Sequence, residues 1–126
     1  MIFGVGTDIV AVARTTTMWQ RHGERALEKL LAPAEIAACV ASAEPGRFLA
    51  KRFAAKEALG KALGTGVRTP VLLPAIAVAH DALGKPVFEF SADLAGYLAA
   101  RRLIAHLSLS DEQDYAVAFV IVESTS

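Results

Sequence analysis

The sequence predicts an α+β domain in which helices pack on one side of a mainly antiparallel sheet, and three observations lead there. Extended segments rich in Ile and Val stand near both ends, a dense Ala/Leu/Lys/Glu stretch fills the middle, and the later strands are joined by short turns suited to hairpins.

Residues 2–10 read as a strand with Ile2, Gly4, Gly6 and Asp8 on one face and Phe3, Val5, Thr7 and Ile9 on the other. Two glycines beside a carboxylate leave room above the backbone. That room suits a bulky ligand or equally a closely packed helix.

Residues from about 14 to 42 read as helical in two or three pieces, broken near His22-Gly23 and near Ala32-Pro33, where proline suits a first helical turn. Arg14, Arg21 and Arg25 recur in this stretch, the ordinary content of a solvated helix face.

The strongest helical pattern runs from Pro45-Gly46 to Gly64, with Gly64 and Gly66 where it should stop. Leu49, Phe53, Glu57, Lys61 and Gly64 recur every three or four residues, so one stripe begins apolar and becomes charged. By spacing alone, Glu57 and Lys61 are an exposed i,i+4 pair worth a few tenths of a kcal/mol.

Residues 75–80 alternate as a strand, 81–85 carry turn chemistry, and 86–90 resume extended structure. Ser91 is suited to cap a helix reaching about Arg102. Residues 104–110 and 115–123 form a second hairpin around Asp111–Asp114, with Ala105, Leu107 and Leu109 on one face and His106, Ser108 and Ser110 on the other. A His-Ser-Ser row suits phosphate or hydroxyl groups, although a histidine bonded to a neighbouring strand is as ordinary.

The 126 residues are expected to form one domain, 1–126. Basic and acidic residues balance at 13 each, which argues against a general nucleic-acid role. The single cysteine, Cys39, offers no disulfide or metal-ligand pair, and no apolar run approaches the roughly 20 residues of a membrane span. A cytoplasmic protein with neither a leader nor a membrane segment is the expectation.

GVGTDIV near the start, FLAKRFAAKEALGKALGTG in the middle and HLSLSDEQDYAVAFVIVE at the end, with LGKP before the last, resemble in order and spacing the holo-acyl-carrier-protein synthases, the short class of 4′-phosphopantetheinyl transferases. The likeness covers nearly the whole chain. It implies the 4′-phosphopantetheinyl transferase fold, a long helix packed on the sheet. It also implies a homotrimer with sites between subunits, whereas a longer class fuses two related halves. The implied reaction moves 4′-phosphopantetheine from coenzyme A to a serine of apo acyl carrier protein, leaves adenosine 3′,5′-bisphosphate, and serves fatty acid biosynthesis.

Residue by residue, the resemblance places magnesium on Asp8 and Glu57 and the active-site lysine on Lys61. A hard cation of this kind uses one or two carboxylates, phosphate oxygens and waters, and an ammonium one turn on would stabilise charge on the departing nucleotide. Glu57, a water activated by the cation, or Glu35 would accept the serine proton. Arg52, Lys56, Lys61, the Gly64-Thr65-Gly66 turn, Lys85, Pro86 and His106 fall around coenzyme A. Arg14, Arg21 and Arg25 become a dock for an acidic carrier protein. His22 and His80 read as surface or turn residues, and Cys39 as a small hydrophobe.

Two positions depart from the family pattern. Asp111 stands where many members carry a second histidine, and Ala32 replaces the Ser/Thr that often precedes the equivalent of Glu35. A magnesium-dependent nucleotide pyrophosphatase would want several glutamates on one helix, where the long helix has only Glu57. A binding module that had lost chemistry would lack Asp8, Glu57 or Lys61, and all three are present.

Overall fold

The computed structural model describes residues 1–125. In chain order the elements are β1 (Ile2–Ala11), α1 (Val12–His22), α2 (Glu24–Leu30), α3 (Pro33–Ala41) and α4 (Pro45–Leu63). A 3-10 turn (Leu73–Ala75), β2 (Ile76–His80), β3 (Pro86–Phe90), α5 (Ala92–Ala100), β4 (Leu103–Asp111) and β5 (Tyr115–Ser124) follow. The α+β expectation holds, and every strand pair is antiparallel. The strands divide into a three-stranded sheet, ordered β1-β5-β4, and a separate β2-β3 ribbon.

Local chemistry sets the boundaries. Gly23, at φ 53°, ends α1 in a conformation that disfavours a side chain, and its N–H caps Trp19 O at 2.9 Å. Pro33 occupies the first turn of α3. Although Ala32 has no capping hydroxyl, Glu35 still reaches back to accept the Ala32 N–H at 2.9 Å, so half of a capping box survives. Gly64, at φ 78°, closes α4, and Ser91 Oγ accepts the Leu94 N–H at the start of α5.

α4 is wrapped on almost every side. The main core gathers Ala54, Ala58 and Leu59 of α4 with Val10, Leu107, Val120 and Val122 of the sheet. A smaller core, Leu27, Leu30, Leu31, Cys39 and Leu49, lies under α2, α3 and the first half of α4.

The sheet covers α4 with one face only. Gly6 and Val10 of β1 point inward, while Phe3, Val5 and Ile9 are exposed, as are Tyr115 and Phe119 of β5 and Ile104 of β4. The result is a broad apolar surface on the side away from the helices.

Candidate active site

The open alternative at the β1 glycines is resolved in favour of a helix. A Cβ on Gly4 would lie 2.0 Å from Ala62 O, and one on Gly6 would lie 2.1 Å from Ala58 O. Strand and helix therefore touch backbone to backbone and run in opposite directions. Asp8, the next inward residue, lies about 7 Å further along β1, which corresponds to roughly one turn back along α4. That step carries Asp8 past the Gly6 contact, beside which Lys61 emerges, and within reach of the long Lys61 side chain.

Lys61 Nζ donates to Asp8 Oδ1 at 3.1 Å and to Thr7 O at 2.9 Å. The predicted Glu57–Lys61 pair is replaced by this link between strand and helix. The Glu57 carboxylate, half-buried beside it, has no hydrogen bond or ion pair among the described residues. The stripe on α4 explains the arrangement: Leu49 is fully buried, Phe53 and Glu57 are half-buried, and Lys61 and Gly64 are exposed, so the helix surfaces as it ends. Gly64 and Gly66 follow at this open end, where the Gly66 N–H bonds to Gly60 O at 3.0 Å. Asp8 and Lys61 thus meet at a solvent-facing edge, with Glu57 one helical turn before Lys61 on the same stripe, residue types fit for a hard cation and a phosphate. Among the described residues, no larger group of three His, Cys, Asp or Glu side chains gathers.

Lys56 and Glu35 lie elsewhere. Lys56 is fully buried and donates to Glu35 Oε1 at 2.6 Å, Leu30 O at 2.7 Å and Leu73 O at 3.1 Å. All three of its N–H bonds are used, so the expectation that it faces coenzyme A is not met. Burial pushes its pKa down, and the adjacent Glu35 carboxylate partly restores it. Glu35 also accepts the Val78 N–H at 2.9 Å and approaches Arg52 Nε at 3.2 Å. Enclosed in this way, it is not placed to receive a substrate proton.

Arg52 belongs partly to that cluster. Its guanidinium stacks over Phe48 at 4.2 Å, and burial lowers its pKa against the pull of Glu35. It also lines a cleft of about 200 Å³ with Arg47, Lys51 and His80, a cationic setting that sequence reasoning missed. Arg47 and Lys51, one helical turn apart, both reach Asp111, at 3.1 and 3.7 Å. Arg47 further donates to Glu112 O and Gln113 O. The acid at position 111 therefore fastens the β4–β5 turn to α4. Two like charges at i,i+4 that require a shared anion were the available signal.

His106 Nε2 lies 2.8 Å from Glu123 Oε1, an exposed cross-strand contact. It stands with Ser108 and Ser110 on the outer face of β4, whereas Asp8 is on the inner face of β1, with β5 between. Lys85 and Pro86 close the β2–β3 turn, where Asp81 Oδ1 accepts the Lys85 N–H at 2.9 Å. Arg14 lies over Phe53 at 5.4 Å, next to the stripe that bears Glu57. Arg21 and Arg25 are exposed, and Arg25 lines a cleft with Met18, His22 and Lys29.

Residues 4–120 match the family described as the 4′-phosphopantetheinyl transferase superfamily. The holo-[acyl-carrier-protein] synthase of Dechloromonas aromatica is 65% identical over 123 residues, 98% of each chain, and that of Azoarcus sp. is 60% identical over 124 residues, 98% of this chain and 99% of the other. Among solved structures, the holo-[acyl-carrier-protein] synthase of Neisseria meningitidis superposes with a TM-score of 0.94 at 42% identity, covering 98% of this chain and 100% of that one. The Bacillus anthracis enzyme in complex with CoA (3′,5′-ADP) gives 0.82 at 35% identity, covering 99% of both. Sequence and fold agree: the chain belongs to the 4′-phosphopantetheinyl transferase superfamily and, within it, to the holo-[acyl-carrier-protein] synthases.

Proposed function

We propose that Asp8, Glu57 and Lys61 form the reaction centre of a transferase that moves 4′-phosphopantetheine from coenzyme A to a serine of apo acyl carrier protein. The observation that carries this reading is the Asp8–Lys61 contact beside an unpartnered Glu57.

The serine oxygen attacks the β-phosphorus of coenzyme A. The bond to the bridging oxygen breaks, and adenosine 3′,5′-bisphosphate leaves with that oxygen and its electron pair. Lys61, whose side chain is 55% exposed, moves from Asp8 toward the phosphates and stabilises the departing charge. Glu57 takes the serine proton, being the carboxylate here with no internal partner. Asp8 and Glu57 would hold magnesium, which when bound supplies charge neutralisation at the pyrophosphate.

Around this centre, Arg52 with the basic cleft, Gly64, Gly66, Lys85 and Pro86 serve the nucleotide half of coenzyme A. Arg14, Arg21 and Arg25 receive the acidic carrier protein. His106 joins only if another copy supplies it, because within one chain it lies across the sheet from Asp8. A homotrimer burying the apolar outer face accounts for both the separation and the exposed Phe3, Val5 and Phe119. The cytoplasm, a reducing compartment, fits the buried thiol of Cys39.

The test is incubation with coenzyme A, Mg²⁺ and an apo acyl carrier protein, followed by mass spectrometry of the carrier. A phosphopantetheine adduct on one serine is expected. No adduct with any carrier tried, from a folded oligomer, would refute the reading.

A further inference from the structure

We infer that Glu35 and Lys56 are positioning residues that fix the carrier-docking helix α2 relative to the catalytic helix. This rests on the reading that α1 and α2 receive the carrier protein.

The hub joins five elements. From α4, Lys56 donates to the last residue of α2 through Leu30 O, to α3 through Glu35, and to the 3-10 turn through Leu73 O. Glu35 completes it by accepting the Val78 N–H of β2 and the Ala32 N–H that starts α3. Both side chains are buried, at 0% and 4% residue exposure.

Lys56 immediately precedes Glu57 on α4 but points the other way, into the small core under α2 and α3. Apolar burial holds those helices against α4 without fixing their angle, because hydrophobic contact is non-directional. An ammonium whose three N–H bonds meet acceptors on three different elements does fix direction. Arg25 lies on α2, only five residues before the tethered Leu30 carbonyl, whereas Arg21 lies in the last turn of α1, a helix that Thr15 Oγ1 ties directly to α4 by donating to Gly46 O at 2.7 Å. The orientation of Arg25 relative to Glu57 thus passes through the Lys56 ammonium.

The decisive variant is Lys56→Met, which removes the buried ammonium and leaves the Glu35 carboxylate still paired with Arg52 Nε at 3.2 Å, so no buried ion is left uncompensated. With folding checked by circular dichroism, the apparent KM for apo carrier protein should rise about tenfold, while kcat and the KM for coenzyme A stay within about threefold. A collapse of kcat with the carrier KM unchanged would overturn the inference, because it would place the hub's effect on the chemical step rather than on docking. A lowered melting temperature with all kinetic constants unchanged would also overturn it, leaving the hub a plain stability element.

A second measurement uses the wild-type protein, so it does not depend on the variant folding. Saturating apo carrier protein should slow hydrogen exchange at the Ala32 and Val78 amides, both bonded to Glu35, because coupling between the dock and the hub is reciprocal. Unchanged exchange there, with the carrier bound, would count as refutation. Failure of the wild-type protein to modify any carrier would instead refute the proposed function, so the two failures are distinguishable.

Discussion

Gly6 lies so close under Ala58 that a β-carbon on the glycine would sit 2.1 Å from the alanine carbonyl oxygen and 2.7 Å from Ala62 N. Both obstacles are backbone, so neither can turn aside. Gly6→Ala must lift β1 from α4, costing about 1–3 kcal/mol or more. Because the same contact sets Asp8 beside Lys61, turnover should fall by more than about tenfold at temperatures where the variant is still folded. Melting curves and initial rates measured together check both parts.

Glu57→Gln keeps the size of the side chain and removes no internal hydrogen bond or ion pair, so stability should change by less than about 0.5 kcal/mol. Transfer should nevertheless fall by at least about a hundredfold. Asp8→Asn should raise the Mg²⁺ concentration needed for half-maximal rate. Near-normal rates in Glu57→Gln would remove that residue from the mechanism.

Phe119, 44% exposed at the middle of the apolar sheet face, offers a direct handle on assembly. On the proposed trimer, Phe119→Glu should leave helix and sheet content intact while shifting light scattering to the monomer mass. If the site is completed between copies, transfer is lost even though Asp8, Glu57 and Lys61 are untouched. A fully active monomer would show that one chain suffices.

His80 is held below the usual histidine range, near 6.5, first by burial and then by the Arg52 and Lys51 cations. The unfolded chain therefore binds the His80 proton at a higher pH than the fold does. This contribution to stability is complete above about pH 6.5 and declines as pH falls through the window below it. Adenosine 3′,5′-bisphosphate in the neighbouring cleft should raise the value, because an anion favours the imidazolium. An NMR titration of His80 with and without the nucleotide decides it, and an unmoved curve would place the nucleotide elsewhere.

Much of the fold was legible because each boundary has a local cause. Gly23, Pro33, Gly64 and Ser91 act within a few residues of themselves, and the alternation in β4 survives as Leu103 and Leu107 inside against His106 and Ser108 outside. The division of the strands into a sheet and a separate ribbon was not legible, since pairing across the chain has no local signal. For the site, spacing placed Glu57 and Lys61 on one stripe. Only the glycine contact could tell that Lys61 turns to Asp8. Lys56 and Glu35 misled for a physical reason: a charged residue is presumed exposed, and the partners that permit its burial come from α2, α3 and the turn at Leu73. Asp111 became intelligible only when Arg47 and Lys51 appeared beside it.

The sheet order β1-β5-β4 has a consequence for how the chain is made. Its central strand is the last to leave the ribosome. Until β5 emerges, β1 and β4 have no partner between them, and register pairs such as Gly6 with Val120 and Leu107 with Val120 cannot form. Nascent β1 must therefore keep Phe3, Val5 and Ile9 from straying for nearly the whole of synthesis. α4 is complete well before β5, and the two glycines give β1 a helix to rest on in the meantime.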